Sequence, residues 1–169
     1  MIKLAYIGPH CSGKTTAVMT TAQALSVLGY KVGVGSEYIR DCPYPINEDG
    51  SYISQKWILD MQFIRESILE SSDYDYVVMD RCILDPILYS VYLFSIGKIT
   101  KEEVEALITL AWEYLGKLQM PLLIYCNPLP LDDDGVRSTN AHFQKYIDTM
   151  YRIFLKANNI PFLYIDRVE

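Results

Sequence analysis

The chain is poor in the residues that build metal and redox centres. Its 169 residues include four cysteines and two histidines. Cys11, Cys42, Cys82 and Cys126 are scattered, with no C-x-x-C pair. That spacing suits neither a zinc site nor a disulfide framework, and reduced cysteines in a cytoplasmic protein are the simple expectation. His10 and His142 have no partners at metal or triad spacing. Positive charge is also scarce: 15 Lys and Arg face 21 Asp and Glu, for a net charge of −6. Without a basic patch to neutralise phosphates, a nucleic acid polymer is not the expected partner, although a nucleotide in a small site is not excluded. No apolar run is long enough to span a membrane. Met1 leads straight into a strand-like run, leaving no room for a signal peptide. Repeats and low-complexity linkers are missing as well, and the length predicts one domain over residues 1–169.

What the chain does have is concentrated near its start. Gly8 to Thr15 read G-P-H-C-S-G-K-T and fill every fixed position of the phosphate-binding P-loop, G-x-x-x-x-G-K-[ST]. Gly8 and Gly13 let the backbone turn tightly enough to aim successive N–H groups at phosphate oxygens. Lys14 supplies a cation for the β- and γ-phosphates, and Thr15 a hydroxyl for Mg²⁺. The helix that begins here adds its positive N-terminal end. The expected nucleotide contacts are Gly8, His10, Cys11, Ser12, Gly13, Lys14, Thr15 and Thr16. The expected cofactors are ATP and Mg²⁺. Cys11 is read as a variable P-loop position rather than a reactive thiol.

Five short β-like runs stand out: Ile2–Ile7, Lys31–Gly35, Tyr76–Asp80, Leu122–Cys126 and Phe162–Ile165. Helical segments alternate with them: Lys14–Leu28, Tyr52–Glu70, Ile83–Ile96, Thr100–Leu118 and Thr139–Ala157. In Tyr52–Glu70 the apolar residues Ile53, Trp57, Ile58, Met61, Ile64, Ile68 and Leu69 form a stripe close to helical spacing. Thr100 and Glu103 form a capping box. Ile83–Ile96, mostly apolar, reads as a core helix or as a surface for a second copy. Alternating strands and helices imply an α/β fold with a parallel sheet covered on both faces. Ligands then bind at the carboxyl ends of the strands.

Tyr76-Val77-Val78-Met79-Asp80 is an apolar strand ending in a carboxylate, the Walker B pattern. Mg²⁺ takes oxygen ligands and keeps several waters, so Asp80 would hold it through water while Thr15 ligates it. Arg81 stands where hydrolytic ATPases usually carry a second carboxylate. A guanidinium suits a transferring phosphoryl group, which favours transfer to an acceptor over hydrolysis.

Asp80-Arg81 followed by Asp85-Pro86 and a Tyr-bearing helix resembles the D-R-[ST]-x-x-D segment of P-loop nucleoside and nucleotide kinases: thymidylate kinases, deoxyribonucleoside kinases and ribosylnicotinamide kinase domains. Cys82 departs from the usual residue after the Asp-Arg pair, which leaves the acceptor's identity open. The resemblance implies a three-layer P-loop NTPase fold with a five-stranded parallel sheet of order 2-3-1-4-5. It also implies an acceptor-side region over residues 36–62. There Glu37, ending the second strand, acts as base toward an attacking hydroxyl, and Arg40 binds an acceptor phosphate or pairs with Glu37. Trp57 and Gln62 are candidates for stacking on and hydrogen-bonding a base, set against a reading of Trp57 as core and Gln62 as surface. Residues 127–138 correspond to a lid whose Arg137 reaches the transferring phosphates. Arg167, after the fifth strand, borders the adenine.

The catalytic set expected is Lys14, Glu37, Asp80, Arg81 and Arg137. The acceptor-binding set is Glu37, Arg40, Trp57, Gln62, Arg81 and Asp85. A small-molecule kinase acting on a nucleoside or nucleoside monophosphate is the leading reading. A P-loop ATPase or ATP-binding regulator without such an acceptor is the alternative. The chain lacks the N-K-x-D motif of GTPases and the signature segment of ABC proteins, and an AAA+ motor would need a helical lid domain after the fifth strand.

Overall fold

In the computed structural model, residues 1–133, 135 and 138–165 are described. The strands are β1 (Ile2–Ile7), β2 (Val32–Gly35), β3 (Tyr76–Asp80), β4 (Leu122–Cys126) and β5 (Phe162–Ile165). They pair in parallel in the order β2-β3-β1-β4-β5, the order expected. The register sets Tyr6 beside Asp80 and Ile7 beside Tyr125, so the loops leaving β1, β3 and β4 emerge side by side.

The helices are α1 (Lys14–Val27), α2 (Tyr52–Glu70), α3 (Leu84–Ser95), α4 (Lys101–Leu115) and α5 (Ala141–Ala157). The central strands alternate which face receives each apolar side chain. Ala5, Ile7, Val77, Met79, Leu123 and Tyr125 meet α2, α3, α4 and α5 in the larger core. Tyr6, Val78, Cys126 and Ile124 point the other way and meet α1 through Val18, Ala17 and Leu25. The layers are therefore unequal, with four helices on one face and α1 on the other.

The predicted elements match within a few residues. The Thr100–Glu103 capping box forms, with Thr100 Oγ1 accepting from Glu103 N–H. The last helix starts later than its sequence suggests, because Asn140 caps it by accepting from the N–H groups of His142 and Phe143. α3 proves to be core: nine of its residues, from Leu84 to Leu93, are buried.

α2 departs furthest from expectation. Ile53, Ile64 and Ile68, three members of the apolar stripe, are 56%, 47% and 61% exposed. The buried side is Ser54, Gln55, Ile58, Leu59, Gln62 and Glu66, spaced three or four apart along one face. The helix turns a largely polar face inward because that face meets other polar groups. Lys3 on β1 is 2% exposed and binds Glu66 Oε2 at 2.6 Å and Glu70 Oε1 at 2.5 Å, with a third bond to the carbonyl of Gln119. Glu66 Oε1 accepts from Gln62 Nε2 and from the Ile83 N–H. Burial raises the Glu66 pKa, and Lys3 opposes the rise.

Candidate active site

β1 ends at Ile7, and the chain turns through the P-loop into α1. Gly8 has φ 135°, and a Cβ there would lie 2.5 Å from the Cys126 carbonyl oxygen. Gly13 caps α1 at φ 66°. Only glycine combines that close approach at Gly8 with its dihedral. Cys11 adopts φ 49° and is buried; its carbonyl accepts from Leu129 N–H at 2.7 Å. Gln144 Nε2 donates to the carbonyls of His10 and Leu129, at 3.0 Å each. The P-loop is thereby tied to α5 and to the loop after β4.

Inside the loop, Lys14 Nζ donates to the carbonyls of Pro9 (2.6 Å) and Gly8 (3.0 Å) and to Ser12 Oγ (3.1 Å). Burial, assisted by the nearby Arg81 charge, lowers the Lys14 pKa to about 8, and the surrounding carboxylates oppose the shift. Thr15 Oγ1 donates to Asp80 Oδ2 at 2.5 Å. Asp80 Oδ1 is enclosed and has no hydrogen-bond partner among the described residues. Burial pushes the Asp80 carboxyl upward against the pull of Lys14 and Arg81.

Arg81 follows β3 with φ 79°, a left-handed conformation that is costly for a non-glycine residue. Its N–H donates to the Tyr6 carbonyl, which fixes the turn. The side chain is buried. Nε donates to Glu37 Oε1 at 2.9 Å, Nη1 to Asp85 Oδ1 at 3.0 Å and, more weakly, to the Tyr89 hydroxyl at 3.4 Å. Asp85 is fixed in turn by the Cys82 N–H at 3.0 Å and by the Tyr151 hydroxyl of α5. These bonds hold the guanidinium well above its ordinary pKa despite burial.

Two recesses meet at this arginine. One, of about 210 Å³, is lined by His10 to Thr15 together with Glu37, Asp80 and Arg81. The other encloses about 460 Å³, part of it open to solvent, and includes Tyr38, Gln55, Ile58, Gln62 and Tyr89 in its wall. Glu37, Asp80 and Arg81 line both. A phosphate held by the P-loop and a small molecule in the larger cleft would meet at those three side chains.

The sequence-predicted residues Lys14, Thr15, Glu37, Asp80, Arg81 and Asp85 are thus brought together. Thr16 is exposed on the first turn of α1. Arg40 is exposed on a short 3₁₀ turn and lines a smaller recess at the mouth, shared with His10, Glu37 and Arg81. Trp57 does not enter the cleft wall; it stands half-buried behind Tyr38, with ring centroids 6.3 Å apart. Gln62 does enter it and is 5% exposed, so the surface reading is corrected. Arg137 and Arg167 lie outside the described residues. Residue-by-residue reading missed Gln55, Tyr38 and Tyr89 as lining, and Glu66 and Tyr151 as supports. The polar spacing Gln55, Gln62, Glu66 on one helical face was the available signal.

Among the described residues there is no cluster of three His, Cys, Asp or Glu that could hold a metal by itself, and no helix is long and apolar enough to cross a membrane.

Among curated proteins, none matches this chain. Solved structures do. The deoxyadenosine kinase of M. mycoides with products dCMP and dCDP bound superposes with a TM-score of 0.69 at 16% identity, covering 97% of this chain and 88% of that one. The same kinase with bound dATP gives 0.70 at 16%, covering 98% and 91%. NadR in complex with NR gives 0.77 at 17%; it covers 99% of this chain, which spans less than half of NadR (46%). At such identities the likeness is one of fold, and the fold is the five-stranded P-loop architecture described above. A family profile described as an AAA domain matches residues 3–169. The chain belongs to that AAA domain family.

Proposed function

We propose that the protein is a small-molecule kinase that transfers the γ-phosphoryl group of ATP to a hydroxyl of a nucleoside-type acceptor. Nucleotides and nucleosides bound to the neighbouring kinase and NadR structures support an ATP-plus-acceptor arrangement. The observation that carries the reading is the engagement of Arg81. Its guanidinium is held by Glu37, Asp85 and Tyr89 at the junction of the two recesses, where it can serve the transferring group but is not free to swing out to a phosphate carried elsewhere on the acceptor. The charged residues lining the larger cleft are Glu37, Asp80, Asp85 and Arg81, a surplus of negative charge. A dianionic monophosphate would be repelled there; a neutral acceptor would not.

In this reading, the P-loop N–H groups and Lys14 bind the β- and γ-phosphates, with Lys14 leaving its loop carbonyls to do so. Thr15 and Asp80 fit an Mg²⁺ ion: the enclosed, unpartnered Asp80 Oδ1 beside the Thr15 hydroxyl supplies oxygens of the kind that ion takes. When bound, the ion neutralises phosphate charge. Glu37 orients the acceptor hydroxyl and takes its proton as the new P–O bond forms. Arg81 spans the junction and stabilises charge on the transferring group, its position fixed by Asp85 and Tyr151. Arg137 and Arg167 are retained as proposed phosphate and adenine contacts.

Incubation with MgATP and a panel of nucleosides and nucleoside monophosphates, with ADP measured, tests the reading. Acceptor-dependent ADP is expected with a nucleoside. Equal ADP with and without every acceptor would favour an ATPase instead. On the best acceptor, Glu37→Gln should lower kcat strongly with little change in acceptor KM, and Arg40→Ala should change either only mildly. A large KM effect from Arg40→Ala beside a mild Glu37→Gln would make the acceptor a monophosphate.

A further inference from the structure

The P-loop changes sense at His10. Before it, the carbonyls of Gly8 and Pro9 turn inward and accept from Lys14 Nζ, at 3.0 Å and 2.6 Å. From His10 on, the next two carbonyls accept from groups outside the loop. Gln144 Nε2, one turn into α5, donates to the His10 carbonyl at 3.0 Å and, more weakly, to the Cys11 carbonyl at 3.5 Å. The Leu129 N–H reinforces the hold on the Cys11 carbonyl at 2.7 Å. The same Nε2 donates to the Leu129 carbonyl at 3.0 Å, so one amide group clasps both the P-loop and the chain after β4.

These bonds set the direction of backbone N–H groups. A trans peptide points its C=O and the following N–H to opposite sides, and none of the described peptides is cis. Carbonyls drawn out toward α5 and Leu129 therefore turn the N–H groups of Cys11 and Ser12 the other way. Gln144 is not in the wall of the recess that His10 to Thr15 line, so it grips the loop from behind. The two peptides it holds flank Cys11, whose φ of 49° is left-handed and costly for a non-glycine residue. Such a conformation persists only where its surroundings impose it. A left-handed residue in a tight turn is also what lets consecutive N–H groups converge on one anion.

We infer that Gln144 is a positioning residue for the nucleotide: from behind the P-loop it aims the Cys11 and Ser12 N–H groups at the bound phosphates. This rests on the binding of ATP at the P-loop proposed above. Gln144 lies outside the phosphate recess and acts only through the two peptide planes that flank Cys11. Its contribution is to fix those planes before the phosphates arrive, which removes a reorganisation that binding would otherwise have to drive. Released from Gln144, the planes would relax out of the left-handed region and carry their N–H groups off target.

The test measures binding of ATP and of inorganic tripolyphosphate by calorimetry in the wild type, Gln144→Met and Gln144→Glu. Methionine keeps the length and helix propensity of glutamine and loses its donors. Glutamate keeps the shape and sets a carboxylate against the carbonyls. Both ligands should bind about 10-fold more weakly to Gln144→Met, by the same factor, and at least as weakly to Gln144→Glu. Acceptor KM at saturating ATP should stay within about 2-fold of the wild type. In amide NMR spectra, tripolyphosphate should shift the Cys11 and Ser12 N–H signals downfield in the wild type and markedly less in Gln144→Met; equal shifts would overturn the inference. Circular dichroism checks each fold, and whichever variant keeps it decides. Loss of fold in both would overturn the inference by making Gln144 a structural residue. Unchanged tripolyphosphate binding in a folded variant would overturn it and leave the kinase reading standing; if ATP alone is weakened, Gln144 acts through the chain at Leu129 instead. A wild type that binds neither ligand would overturn the nucleotide reading, and this inference with it.

Discussion

The two halves of the cleft are built by opposite strategies. The nucleotide half is mostly backbone: a tight loop with glycines at the positions that demand them and one lysine, all within residues 8–15. The half proposed for the acceptor is mostly side chain, assembled from Glu37 and Tyr38 after β2, Gln55 and Gln62 on α2, Arg81 after β3, and Asp85 and Tyr89 on α3. The first is local in sequence and reads as a motif. The second spans more than fifty residues, and its members are recognised only by the bonds between them. A backbone cradle tolerates change at its variable positions; a side-chain network loses function when any fixed member is cut.

The comparison can be broken first at its local half. Lys14→Ala should reduce phosphoryl transfer by at least about 100-fold, because its charge offsets the charge that develops on the γ-phosphate. Circular dichroism should show an intact fold, since the hydrogen bonds of Lys14 are made to its own loop. Near-normal kcat/KM would remove the P-loop from the chemistry.

The non-local half should fail through stability. Lys3→Met leaves Glu66 buried without its main cation and should cost about 3 kcal/mol or more at neutral pH. The sign of the pH dependence follows from Glu66, whose folded pKa is already raised by burial. The fold favours the protonated acid, so its destabilising contribution is absent below the ordinary carboxylate range and grows as pH rises toward the raised value. Removing Lys3 raises that value further. The deficit should therefore shrink at pH 4 and deepen at pH 8, read as urea midpoints. A pH-independent deficit would mean that Glu66 is not the group responsible.

Asp80→Asn should give a smaller effect of a different kind: a shift of the Mg²⁺ activation curve to higher concentration, partly relieved by added Mg²⁺. An unchanged titration would detach Asp80 from the metal. The smallest expected effect is that of Tyr151→Phe, which removes one hydrogen bond to Asp85 at the far side of Arg81. About 1 kcal/mol, or roughly 5-fold, is expected in kcat, with acceptor KM nearly unchanged. A change in KM alone would assign Tyr151 to cleft shape rather than to the positioning of Arg81.

The α2 helix shows where reading the sequence stops. Its boundaries, Tyr52–Glu70, were legible because helical periodicity and length are local properties. Its buried face was not. Periodicity marks the apolar stripe as inward, and here Ile53, Ile64 and Ile68 face solvent while Gln55, Gln62 and Glu66 face the cleft and Lys3. A helix that supports a polar site inverts the usual assignment, and only the partners, Tyr38 and Lys3 among them, make that burial tolerable. Trp57, for which stacking on a base and packing in the core were both open, stands half-buried outside the cleft wall and backs Tyr38.

By itself the sequence determined the order of strands and helices, the P-loop with its Lys14 and Thr15, and the strand-ending carboxylate Asp80. Each depends on residues adjacent in the chain, where spacing and steric limits act directly. Tertiary structure alone decided that Arg81 is held by Glu37 and Asp85, and that Gln62 is locked by Glu66. Those outcomes depend on which buried polar groups find partners across the fold, and a hydrogen bond between residues tens of positions apart leaves no periodic trace in the chain.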